Sequence, residues 1–212
     1  MNRIDNFEII RPLRVADIGD LYLARDKSSG LTVELLILHP GPYTRLVDPY
    51  LREELRKMRG FSHPDVACVK ETFEVDGKRI IISDHVEGET LHSYIHERNG
   101  LIIESRALPM IERLLDALSA IHAAGMLHLG LQPDEIIIDK EGNPHINRLG
   151  AHAAVALAKK ESPSGASPSD SAIYMAPEAS SDSPADTPTQ SSDIYSLGMT
   201  AYEMLTLSRI DI

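Results

Sequence analysis

The residues that could do chemistry gather in two stretches of this 212-residue chain. In the first, an apolar helical run is stopped by Gly125, and a turn bearing His128 follows. Gln132-Pro133-Asp134-Glu135 then lead into the β-branched run Ile136-Ile137-Ile138. The second, His145-Ile146-Asn147-Arg148-Leu149-Gly150, sets a cation beside a glycine. Carboxylates such as Glu135 and Glu34 could ligate a metal ion or hold a guanidinium. A histidine on an apolar turn more often serves packing than proton transfer, and His128 is read that way. The 9 histidines are read as lacking metal-ligand spacing, and the single cysteine, Cys68, excludes an internal disulfide and a cysteine-built metal site.

The elements that must position these residues follow from apolar periodicity. Phe7 to Ile10, Leu21 to Ala24 and Thr32 to Leu38 read as strands. Asp48-Pro49 reads as the cap and first position of a helix over Tyr50 to Arg59. Val66 to Glu74 and Arg79 to Ser83 form a hairpin across Asp76-Gly77. Leu108, Ile111, Leu115, Leu118 and Ile121 fall at helical spacing and predict a long amphipathic helix entering the His128 turn. Stretches 161–172 and 179–192 are rich in Ser, Pro, Asp and Thr and read as loops. Ser192-Asp193-Ile194-Tyr195 opens a last apolar helix to about Leu207.

Composition narrows the class. Apolar residues at 42% and charged residues at 25% are ordinary globular values. A net charge of −11 opposes nucleic acid as the main partner. No apolar run approaches the roughly 20 residues of a membrane span, and neither a signal peptide nor paired cysteines point outside the cell. A cytoplasmic protein with a protein partner, or one that self-associates, is expected.

In order and spacing, the chain resembles the eukaryotic-like (Hanks-type) Ser/Thr protein kinases. The resemblance rests on His128-x-x-Leu131-x-Pro133, Tyr174-Met175-Ala176-Pro177-Glu178 and Ser192-Asp193-Ile194-Tyr195-Ser196-Leu197-Gly198. It implies an α+β bilobal fold: a β-rich N-lobe and hinge over 1–86, and an incomplete helical C-lobe over 87–212 with an activation segment at 161–192. By the same resemblance, the strand lysine is replaced by Leu36, the base aspartate by Gly130 and the loop lysine by Gln132. The metal asparagine is Glu135 and the metal aspartate is Arg148. Only the third glycine of the phosphate loop remains, as Gly19, with Arg14 and Ala16 at the first two positions.

What the resemblance implies for function is therefore a pseudokinase that binds or scaffolds, without catalysis and without a cofactor, ATP binding being weak or absent and gaining nothing from magnesium. The alternatives are an ATP-binding kinase-like enzyme with residual or altered phosphotransfer, and a fragment without function. A vestigial nucleotide pocket is expected from Leu13, Leu21, Glu34, Ser83, Asp84, Val86 and Ile137. Structural duties fall to Glu54, Met58, Val69, His128, Leu149 and Asp193. Met58, Val69, Leu149 and His128 should stack as a spine over Asp193, which should accept backbone amides near 127–130. Arg148 should pair with Glu135, Glu54 or Glu34, since a buried cation without a carboxylate is costly. The helices over 108–124 and 193–207 should be partly uncovered, and Glu178 should lack an arginine partner.

Overall fold

Apolar alternation near the N-terminus builds an antiparallel meander. In the computed structural model, described over residues 3–16, 18–99, 102–161, 170–180 and 186–208, it comprises β1 (Phe7–Ala16), β2 (Gly19–Asp26) and β3 (Thr32–Leu38). Beside β3 lies β5 (Lys78–Asp84), then β4 (Val66–Val75). Asp76 and Gly77 both take positive φ, at 50° and 73°, as a two-residue hairpin turn demands. Leu21 faces Leu36, and Leu36 faces Ile81, so these side chains pile up across three strands in the buried core. Leu36 is thus a core residue; it does not border the cleft.

The sheet continues through β6 (Gly88–Thr90), β7 (Ile136–Asp139) and β8 (Pro144–Leu149), in the order β1-β2-β3-β5-β4-β8-β7-β6. Among the described residues only β4 and β8 pair in parallel, Val66 opposite Ile146. This seam brings the Arg148 end of β8 beside the N-terminal strands. In β1, register shifts between Ile9 and Arg11 and between Pro12 and Arg14 mark bulges. Bulges re-aim side chains, and here Arg14 reaches the turn before β7.

Helices complete the fold. α1 (Val47–Lys57) turns Val47, Leu51 and Glu54 inward. Its cap is Leu46 rather than the expected Asp48, whose carboxylate instead pairs with Arg52 and Arg79 at 2.6 and 2.8 Å. α2 (Leu91–Ser93) runs into a π-helical turn, Tyr94–Asn99. α3 (Glu104–Ala123) has the expected period, but its inward face is Ala107, Met110, Leu114, Ala117, Leu118 and Ile121. Leu118 and Ile121 are buried as expected, but Leu108 and Leu115 are 47% and 42% exposed, so in the first part of the helix the buried stripe lies one residue away from the expected one. Small Ala107 and Ala117 let α3 approach its neighbours, which a search for large apolar residues overlooks.

α4 (Ala151–Glu161) has no counterpart among the expected elements; its alanines are strong helix formers, and it packs on α1. α5 (Pro177–Ser180) and α6 (Gln190–Thr206) follow. Residues 162–169 and 181–185 fall outside the described residues, and with them part of the Ser/Pro-rich loop expectation. Ile194, Tyr202 and Leu205 of α6 are exposed, as the uncovered-helix expectation has it. No helix among the described residues is long and apolar enough to cross a membrane.

One carboxylate fastens α6 to the His128 turn. Asp193 is fully buried and accepts the backbone N–H groups of His128 and Leu129 at 2.9 and 2.8 Å, and the His122 ring N–H at 2.9 Å. Burial resists its ionisation, but His122 and these amides hold its pKa below the ordinary value. Leu129 sits at φ 57°, a left-handed conformation that costs a non-glycine residue about 1–3 kcal/mol. Charge-assisted bonds contribute roughly 1.5–3 kcal/mol each, enough to offset it. Asp193→Ala should therefore lower unfolding stability by about 3 kcal/mol or more, read by urea denaturation. A loss below about 1 kcal/mol would show that the turn is held by other contacts.

Candidate functional site

A cavity of about 700 Å³ opens between the N-terminal sheet and β6–β8. Its apolar walls are Leu13 and Leu21 from the first hairpin, Val86 from the segment after β5, and Ile137 from β7. Glu34, Arg14 and Arg148 border it as charged groups. Ser83 and Asp84, expected here, do not line it. Ser83 is fully buried in the sheet, and the Asp84 side chain turns away to Lys70 at 2.9 Å and to the Cys68 N–H at 3.3 Å.

The charged floor is a closed lattice. Arg148, 2% exposed, donates from one nitrogen to Glu34 at 2.8 Å and from another to Glu135 at 2.5 Å. The second Glu135 oxygen takes Arg14 at 2.6 Å, and Arg14 also donates to the Asp134 carbonyl at 2.9 Å. Glu34 is further held by the His85 ring at 3.2 Å and by the Asn147 amide at 3.1 Å. Burial works against ionisation of both acids. For Glu135 the Arg148, His152 and Arg14 charges outweigh it and keep the carboxyl well below the ordinary range. For Glu34, His85 and Arg148 outweigh burial and lower the pKa. The same burial disfavours the Arg148 cation, but the two carboxylates push its pKa up.

Arg148 therefore pairs with two of its three expected acids, and Glu54 is left out. Glu54 is buried on α1, with Lys57 at 2.8 Å on one oxygen and no hydrogen-bond partner on the other. Burial raises its pKa, with Lys57 offsetting part of that. Gly150 (φ 94°) packs tightly beside it: a Cβ there would lie 2.7 Å from the Met58 methyl and 3.3 Å from the Glu54 Cβ. The Arg148–Gly150 turn thus passes close against α1 at Met58 and Glu54.

The expected spine residues Met58, Val69 and Leu149 share one buried cluster, and His128 is fully buried. The His128 ring donates through Nε2 to the Asn147 carbonyl at 2.9 Å, while Nδ1 has no partner. Above it stacks His152 of α4, ring centroids 5.6 Å apart, with Nε2 3.3 Å from Glu135. Burial first, then the His152 charge, lowers the His128 pKa from 6.5. Gln132 opens the turn Pro133–Glu135, its carbonyl accepting the Glu135 N–H at 2.8 Å. Glu178 accepts the Ser192 hydroxyl at 2.6 Å.

Gly130, at the base position of the resemblance, has its Cβ space taken. A Cβ there would lie 2.3 Å from Cγ of the His152 ring. Sequence reasoning passed over His152, Asn147 and His85. Only His152 left a signal, as the one polar residue in the Ala151–Ala158 run; Asn147 on β8 and His85 just after β5 reach Glu34 only through the tertiary fold.

The acids do not fit a divalent cation as arranged. Each oxygen of Glu135 faces a guanidinium, and Glu34 shares Arg148. The apolar walls and the polypeptide at Val86 do fit a flat heteroaromatic base.

Known proteins share this chain's pattern. A family model described as "Protein kinase domain" matches residues 17–210. The chain is 28% identical over 204 residues to serine/threonine-protein kinase pkn2 of Myxococcus xanthus, covering 94% of this chain and 24% of that protein. It is 29% identical over 206 residues to probable serine/threonine-protein kinase pknA2 of Bifidobacterium longum, covering 94% and 26%. For serine/threonine-protein kinase PrkC of Bacillus subtilis the identity is 28% over 205 residues, covering 94% and 30%. The chain thus spans less than a third of the length of these relatives. Two expectations are overturned here. The absence of enzymatic function does not stand beside relatives named as serine/threonine kinases over nearly all of this chain. Nor does the absence of a cofactor, since protein kinases act on ATP with magnesium.

Two outcomes test the geometry. Gly130→Asp should destabilise the fold by about 1–3 kcal/mol through overpacking on His152, and Gly130→Asp with His152→Ala should recover most of that. Strict additivity of the two changes would show that the contact does not exist. The second concerns pH. His128, with its pKa lowered by folding, binds its proton more readily in the unfolded chain. Its share of stability is present above pH ~6.5 and is lost as pH falls from there toward the folded value. Glu34 and Glu135 have lowered values too, so a further loss begins below pH ~4.3. Urea unfolding across pH 3–8 checks the profile. In the His128→Asn variant the decline near pH ~6 should flatten; an unchanged profile there would release His128 from that role.

Proposed function

Because this chain belongs to the protein kinase family, we propose that it is an ATP-binding, Ser/Thr protein kinase-like domain whose phosphotransfer chemistry is altered. The observation that carries this is the cavity of about 700 Å³, whose lining combines apolar walls suited to a base with two guanidinium groups. Leu13, Leu21 and Ile137 would sandwich the ring, and the backbone around Val86 would offer it hydrogen bonds. Arg14 and Arg148 face the space that a polyphosphate would occupy. ATP supplies the phosphoryl group in this reading; the chain's own residues bind and orient. Guanidinium is well matched to phosphate oxygens because it donates in a planar fork. With Gly130 at the base position and Gln132 nearby, no side chain there removes a hydroxyl proton as an aspartate does, so transfer would be slow and governed by positioning.

A second reading, a binding or regulatory module that acts on a protein partner, is favoured by the double ion pair of Arg148. That bridge ties β3 to the turn before β7 and to the end of β8, as a module presenting a constant surface requires. The two readings separate on nucleotide response.

Thermal unfolding of the chain with ATP, with and without magnesium, should be run alongside a phosphotransfer assay on a generic protein substrate. ATP at 100 times its dissociation constant should stabilise the fold by about 2.7 kcal/mol. Arg14→Ala should weaken ATP about tenfold or more while leaving adenosine little changed, the loss of one charge-assisted contact being about 1.5–3 kcal/mol. No shift at millimolar ATP would sink the nucleotide reading and leave the module reading standing.

A further inference from the structure

Away from the cleft, His92, His96 and Glu203 bring one ligand atom each to within 4.8 Å of one another. We propose that these three residues form a binding site for a divalent transition metal ion of the zinc type. The inference is independent of the cleft and of any nucleotide.

The placement follows from local structure. Leu91, Tyr94 and Ile95 are buried, so the opposite edge of the α2–π turn carries His92 and His96, four residues apart. The rings lie 4.7 Å apart, tilted by 42°. The wide π turn Tyr94–Asn99 begins between the two histidines, and such turns recur at functional sites. Glu203 comes from the buried face of α6, next to Met204 and one turn after Thr200. At 1% exposed it is a carboxylate placed inside the protein. It meets His96 Nε2 through Oε1 at 2.6 Å, and its other oxygen accepts the Tyr174 hydroxyl.

The donor set decides the ion. Two imidazoles and one carboxylate suit zinc, whereas calcium and magnesium prefer an all-oxygen shell. Tetrahedral zinc, with bonds of about 2.0–2.1 Å, sets its ligand atoms roughly 3.3 Å apart. The His96–Glu203 pair, at 2.6 Å, has to open and the other ligand spacings, at most 4.8 Å, have to settle to that value, adjustments that side-chain rotation can supply. Tyr174 supplies the outer hydrogen bond that orients a ligating carboxylate. Three protein ligands leave a fourth position for water. The ion would join α2, α6 and the 170–174 segment that carries Tyr174.

The test is direct titration of the metal-free chain with Zn²⁺ against a chromophoric chelator, and with Co²⁺ followed by visible absorption. We expect one tight equivalent and the intense bands of a tetrahedral cobalt centre. His92→Ala removes a half-buried ring outside the core, and should weaken binding tenfold or more and abolish those bands while the melting temperature without metal is unchanged. Glu203→Gln should weaken binding similarly, whereas His39→Ala, far from the cluster, should change nothing. If His92→Ala leaves the zinc affinity and the cobalt spectrum intact, or if no tight equivalent is found, the proposal is overturned.

Discussion

A guanidinium held between two buried carboxylates joins the parts of this fold that the chain itself keeps far apart. Glu34 stands on β3, Glu135 on the turn before β7 and Arg148 at the end of β8. Their contacts span separations of 114 and 13 residues. Removing charges from water costs several kcal/mol per ion, so the bridge persists only because every charge is answered. Arg14 answers the second oxygen of Glu135, making two guanidinium groups for two carboxylates. Such an arrangement adds little net stability over an apolar substitute, yet it forbids alternatives, because losing one member strands the others. Its worth is in fixing how the sheet sits over the helical part.

The backbone conforms to that bridge. Arg148 adopts φ 53°, a conformation unusual for a side-chain-bearing residue, and its N–H is held by the Asn147 side chain at 2.9 Å. Asn147 also reaches Glu34, and its carbonyl takes the His128 ring. One residue thereby couples the ion bridge to the turn that Asp193 fastens from below. Beyond Gly150 the chain enters α4 at once, which sets His152 over Gly130. An aspartate at position 130 and His152 in this place are mutually exclusive, so the two residues must be understood together.

Much of the fold could be read in the sequence because it depends on local rules. Strand alternation marks β2 to β5, the Asp76-Gly77 pair marks its hairpin, and motif spacing puts Asp193 under the His128 turn. The readings that missed share a different cause. The inward face of α3 departs from the expected one at Leu108 and Leu115, where Ala107 and Leu114 turn inward instead, while Leu118 and Ile121 are buried as expected. α4 escapes notice because an alanine run signals helix without saying what it packs on. At the cleft, the acids around Arg148 could be named but not ranked, because that Glu34 reaches the cation while Glu54 pairs with Lys57 is set by tertiary packing. The His92–His96 pair shows the same limit. A spacing of four is visible, but only α6 supplies the carboxylate that gives it meaning. Function inferred from single replaced residues is the least secure, since it treats each position apart from the charges gathered around it.

Charge balance also constrains what the cleft can accept. As it stands, the guanidinium groups of Arg14 and Arg148 are matched by Glu34 and Glu135, so an incoming polyphosphate must compete with carboxylates already in place. Entry of such an anion is favourable only if it takes over a guanidinium while the released acid finds another partner. His85 beside Glu34 and His152 beside Glu135 are the nearest candidates. Because His152 belongs to α4, Glu135 touches both the Arg148 bridge and the helix that lies on α1 and stacks on the His128 turn, so the cleft charges and the helical packing meet at one carboxylate.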